Sequence, residues 1–148
     1  MRLKSPVSHR RAIMRLPDEK WVVLDKLHSS GKHIYRLHWL LMDVPFDWDE
    51  KRGLLALQTA AGPFSVQVGA SVEGGQSSLV RAESSSCRGW HSPYYNSREP
   101  ALSLALSLES DACYFWSVFG PGEDISMESI RSYTVNDSIV DFFQLHGK

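Results

Sequence analysis

The stretch from His9 to Met42 (HRRAIMRLPDEKWVVLDKLHSSGKHIYRLHWLLM) constrains the fold more than any other part of the chain. It reads as three consecutive β-strands joined by two short turns. Pro17-Asp18 suits the first turn, because proline fixes φ and aspartate bonds its own backbone. Ser29-Ser30-Gly31 suits the second, where glycine takes positive φ. Between them, Trp21-Val22-Val23-Leu24 is a nearly continuous apolar run of strand length, rich in β-branched and aromatic residues. A run apolar on both sides suits a strand covered on both faces, so it is expected inside a sheet.

Side chains alternate along these strands. In the first, Arg10, Ala12, Met14 and Leu16 form the better core face, while His9, Arg11, Ile13 and Arg15 look outward with a basic bias. In the third, Tyr35, Leu37, Trp39 and Leu41 are core, opposite Ile34, Arg36, His38 and Leu40. Residues 43–52 read as a polar loop, and 53–59, 63–68 and 78–83 as extended segments. Residues 84–100 (SSSCRGWHSPYYNSREP) form a long aromatic loop, a kind that is usually functional or interface-forming. Residues 101–108 (ALSLALSL) and 112–119 (ACYFWSVF) predict a core hairpin turning at Ser110-Asp111. Trp39, Phe115 and Trp116 are expected together in the core. Residues 125–134 suit a strand or a helical turn, and 138–145 a closing strand. About ten short strands without an amphipathic helix predict an all-β fold, an antiparallel β-sandwich with little or no helix. The whole of 1–148 reads as one domain.

At 43% hydrophobic over 148 residues, the chain has enough apolar material for one core without staples. A net charge of −1 excludes binding to a polyelectrolyte by composition alone, and the basic residues lack the aromatic interleaving of a nucleic-acid module. No apolar stretch approaches the roughly 20 residues of a membrane helix. Neither nucleic acid nor membrane is an expected partner. The basic start lacks the apolar centre of a signal peptide, so the protein stays where it is made or the chain is a segment of a longer one. Cys87 and Cys113 are too few for a metal motif and read as buried free thiols. Phosphate-loop, zincin and hydrolase-elbow motifs are absent.

Two passages resemble a known family. The first is His9-Arg10-Arg11, then Trp21-Val22-Val23-Leu24-Asp25, then Gly31-Lys32-His33-Ile34-Tyr35-Arg36-Leu37-His38. The second is Gly89-Trp90-His91-Ser92-Pro93-Tyr94-Tyr95-Asn96 with Glu99-Pro100. In this order they resemble the C-terminal domain of the heparinase II/III-like polysaccharide lyases, in which a large α/α-toroid precedes an antiparallel β-sandwich. The resemblance implies that this chain is the C-terminal β-sandwich, supporting an upstream toroid and lending residues to its cleft. The chemistry implied is β-elimination on an acidic, uronic-acid polysaccharide, with the isolated domain inactive and the site periplasmic, extracellular or at the cell envelope. A non-catalytic carbohydrate-binding or structural module of the same fold is the alternative.

For residues, the resemblance implies His9 as the catalytic contribution of the sandwich, or else a ligand to zinc. Zinc would take His9, Asp25 and His38, against a reading in which Asp25 bonds turn amides and His38 is a satisfied face residue. Substrate binding falls to Arg11, Arg15 and Arg36, whose guanidinium forks fit a sugar carboxylate, and to Tyr94 and Tyr95, whose rings can stack on sugars. Trp90 reads as core, and Arg98 with Glu99 as a pair.

Overall fold

The computed structural model describes residues 6–16, 19–123, 132–135 and 138–141. They contain eleven strands and no helix: β1 (Val7–Arg15), β2 (Trp21–Leu41), β3 (Phe46–Asp49), β4 (Leu54–Thr59), β5 (Gly62–Ala70), β6 (Gln76–Arg81), β7 (Trp90–His91), β8 (Glu99–Pro100), β9 (Leu102–Pro121), β10 (Ser132–Val135) and β11 (Ser138–Asp141). Seven of them form one antiparallel sheet in the order β1-β2-β9-β5-β4-β3, with β6 also paired to β9. Pro17-Asp18 and the remainder of 125–134 and 138–145 lie outside the described residues; β10 and β11 pair as a separate sheet.

The sheet is organised by two unusually long strands, β2 of 21 residues and β9 of 20. They pair along almost their whole length, from Trp21 opposite Phe119 to Leu41 opposite Leu102, with one irregularity between His28 and His33. There Ser29, Ser30, Gly31 and Lys32 stand against Asp111 alone. The two expected reversals, at Ser29-Ser30-Gly31 and at Ser110-Asp111, are therefore the two sides of one bulge. The polar residues that suggested turns satisfy the interrupted backbone instead. Ser29 Oγ donates to the Gly31 carbonyl, and Ser110 Oγ donates to the Ala112 carbonyl at 2.7 Å. Tyr35 Oη adds a bond to Ser29 Oγ at 3.1 Å. A bulge redirects a strand without ending it, and sheets turn corners this way.

The bulge divides the paired strands into two layers. In the first, the N-terminal part of β2 and the C-terminal part of β9 are flanked by β1 on one side and by β5, β4 and β3 on the other. In the second, the other halves of β2 and β9 are joined by β6. Leu102, Leu104, Leu106, Leu108, Tyr35 and Leu37 of the second layer pack on Leu55, Leu57, Val66, Val68, Cys113 and Phe115 of the first. Each large aliphatic so buried contributes about 1.5–3 kcal/mol. Trp39 ties the layers together: its Nε1 donates to Ser117 Oγ at 2.8 Å, and its ring meets Phe119 edge-on at 5.0 Å.

The run Val22-Val23-Leu24 is buried on both faces, as expected of an interior strand. Its outward face joins Leu16 and Val118 in a second cluster that also takes Trp116, which thus lies on the opposite side of the sheet from Phe115. Three further expectations are corrected. Of the proposed β1 core face only Met14 and Leu16 pack, and on the outward cluster. Arg10 and Ala12 are exposed on an edge strand, while His9 and Arg11, expected to look outward, share the face of Asp25 and Phe115. The supposed loop at 43–52 contains β3. Cys113 is buried but Cys87 is exposed. The long aromatic loop carries the small β7–β8 pair, anchored where the Gly89 carbonyl accepts from Ala82 N and Ala101 N, each at 2.9 Å.

Candidate functional site

Cross-strand register builds the site. β1 and β2 place Arg11 opposite Asp25 and His9 opposite Leu27, so strict alternation puts His9, Arg11 and Asp25 on one face. The same face carries Trp21 and Val23. Arg11 grips the carboxylate as a fork, Nε to Oδ1 at 2.7 Å and Nη2 to Oδ2 at 3.0 Å. His9 Nε2 lies 2.6 Å from Oδ1. The Asp25 side chain is only 4% exposed, whereas His9 and Arg11 remain 50% and 42% exposed. Burial alone would raise the Asp25 carboxyl, but the hydrogen bonds from Arg11 and His9 hold it below the usual carboxylate range. The guanidinium also lies 5.4 Å from the centre of the Trp39 ring.

These three residues line a cleft of about 300 Å³ where the edge of the first layer meets the C-terminal half of β2, which contributes Tyr35, Arg36 and His38. An ionised carboxylate only accepts, so Nε2 of neutral His9 carries the proton toward Asp25 and Nδ1 keeps the lone pair. The arrangement offers a base or acceptor beside a fixed cation, next to open solvent.

Of the other candidates, Arg36 and His38 border the cleft, and Arg15, Tyr94 and Tyr95 stand apart from it. Arg15 is exposed at the end of β1, opposite Trp21, and does not line the cleft. Arg36 is exposed and donates from Nε to Ser107 Oγ at 3.1 Å. His38 Nε2 is bonded to Ser103 Oγ at 2.7 Å; burial, then the charges of Arg88 and Arg36, push its pKa down. Tyr94 and Tyr95 stand at the tip between β7 and β8, 69% and 99% exposed, away from the cleft lining. Trp90 is half-buried with the Arg98 guanidinium stacked 4.1 Å from its ring centre, in place of an Arg98–Glu99 pair.

The three residues proposed for zinc are engaged with other partners in this structure. His38 is committed to Ser103, both Asp25 oxygens are held by Arg11, and among the described residues no three His, Cys, Asp or Glu side chains converge.

Reading residue by residue missed Arg88. The signal was Ser103, Ala105 and Ser107, small side chains alternating with leucine, which leave a shallow sheet face for a long side chain to cover.

Residues 2–132 match the family described as heparinase II/III-like, C-terminal, and the chain belongs to that family. Two solved structures of heparinase III, the BT4657 gene product, share the fold. One, with methylated lysines, has a TM-score of 0.65 at 18% identity, covering 84% of this chain and 18% of that one. The other has a TM-score of 0.67 at 17% identity, covering 92% of this chain and 21% of that one. This chain thus spans about a fifth of the length of the heparinase III chains it resembles. No curated protein matches it.

Proposed function

We propose that this chain is the β-sandwich of a polysaccharide lyase that cleaves uronic-acid polymers by β-elimination, working against an upstream α/α-toroid. In that reaction a base removes the C5 proton, the neighbouring carboxylate charge is neutralised, and the leaving O4 is protonated. His9 contributes Nδ1 as a proton acceptor, with Asp25 fixing its tautomer. Arg11 supplies positive charge for the sugar carboxylate, and its fork on Asp25 holds it in place. The observation that carries this reading is the convergence of His9, Arg11 and Asp25 at an open cleft, on a chain whose family is heparinase-like.

A second reading, a carbohydrate-binding module without catalysis, is favoured by Tyr94 and Tyr95, whose exposed rings suit sugar stacking. Ultraviolet absorbance of the unsaturated uronate product separates the two. Product formed only with the upstream domain present supports the lyase reading. Polysaccharide binding with no product from the combined protein supports the module.

A further inference from the structure

The outer face of the second layer, across β2 from the cleft, carries a second polar cluster. Its floor is made of small side chains of β9: Ser103 at 0% exposure, Ala105 at 2%, and Ser107. Arg88, from the loop between β6 and β7, lies across this floor. Its Nε donates to Ser103 Oγ at 3.0 Å and its Nη1 to Ser78 Oγ at 3.0 Å. Its Nη2 donates to the Ser103 and Ser78 carbonyls at 2.8 and 3.3 Å. His38 shares Ser103 Oγ from the β2 side, and Arg36 sits beside it on Ser107.

Covering small residues requires one long side chain. It does not require two guanidiniums and an imidazole grouped where, among the described residues, none has a carboxylate within ion-pair distance. Burial, then the charge of Arg36, lowers the Arg88 pKa against the opposing pull of Glu83, and burial, then the charges of Arg88 and Arg36, lowers that of His38. A guanidinium has five N–H donors. Arg36 uses one and Arg88 four, which leaves donors free on both; Glu83 acts on Arg88 only from beyond ion-pair distance.

We propose that Arg36, His38 and Arg88 form an oxyanion subsite on the outer face of the second layer, taking a carboxylate or sulfate half-ester carried by an acidic polysaccharide. Arg36 and His38 border both this face and the cleft, so one polymer can pass around the β2 edge from His9 to Arg88. That the oxyanion is polymer-borne rests on the function proposed above; the anion site itself does not.

The test follows arginine Nε–Hε signals of this chain by NMR at constant ionic strength. Sodium sulfate is titrated first, then a sulfated and an unsulfated uronate tetrasaccharide. Saturable shifts of Arg36 and Arg88 in sulfate are expected, whether or not Arg11 moves, followed by shifts with at least one tetrasaccharide. Arg36→Gln is expected to weaken sulfate binding at least about tenfold, the loss of one charge-assisted contact. Arg88→Gln should do the same; if it unfolds the chain, the exposed Arg36 variant decides alone. Shifts absent in all three titrations, confined to Arg11, or unchanged by Arg36→Gln overturn the site. Sulfate binding with neither tetrasaccharide engaged overturns the polysaccharide assignment and leaves the cleft reading intact.

Discussion

Replacing Arg11 with methionine removes the fork on Asp25 while keeping most of the aliphatic stem. The carboxylate that remains is 4% exposed and retains only the bond from His9. Breaking a fully buried ion pair costs about 3–5 kcal/mol, because the surviving charge is left uncompensated. Arg11 is 42% exposed, so water screens part of its attraction and the expected loss falls to about 2 kcal/mol at pH 7. The sign with pH is fixed by Asp25, whose folded pKa lies below the ordinary value of about 3.9. Its contribution is complete above about pH 4 and disappears as pH falls through the lower folded value. The difference between wild type and Arg11→Met therefore narrows on acidification. Adding Asp25→Leu to Arg11→Met should recover most of the loss, since no unpaired charge remains. Urea unfolding followed by tryptophan fluorescence at pH 7, and at a pH below the ordinary carboxylate value, measures all three. A change below about 0.5 kcal/mol in the single variant at pH 7, or a double variant no better than the single, refutes the account of a buried carboxylate held by Arg11.

Gly89→Ala is expected to destabilise by at least about 2 kcal/mol, since its φ is +79° and an added Cβ would stand 2.5 Å from the Ala82 nitrogen; thermal unfolding checks it. Trp39→Phe leaves Ser117 Oγ, in a residue at 0% exposure, without its donor, and should cost about 1–3 kcal/mol by urea titration. Folded His38 is held below its ordinary value of about 6.5, so folding carries a growing penalty as pH falls from there toward the lower folded value. His38→Gln should flatten stability between pH 7.5 and 5 relative to wild type. Protein purified without chelator should contain substoichiometric zinc by elemental analysis, with a melting temperature unchanged by EDTA; one tightly held zinc per chain would overturn the pairing of Asp25 with Arg11 and His9 alone.

Period-two patterning was enough to assign the strands of the core, because one face of each is buried and a slip of one residue would expose it. Tyr35, Leu37, Trp39 and Leu41, and the leucines of 101–108, pointed where the alternation put them. What the local reading misjudged was continuity. Ser29-Ser30-Gly31 and Ser110-Asp111 carry ordinary turn chemistry, and only their position opposite one another across β2 and β9 makes them a bulge. Long-range register is not written in either segment alone. The same holds for the site: Arg11 and Asp25 are neighbours through pairing, whereas His38 fits the spacing of a ligand yet bonds Ser103 across the strand.

The measurement closest to the central claim is the rate of unsaturated-uronate formation by the polypeptide that joins this chain to its upstream domain, compared with its His9→Ala form. A general acid–base role predicts a fall in kcat of about 10²–10⁴-fold with the protein still folded. A kcat unchanged by His9→Ala would contradict the assignment of the cleft to catalysis.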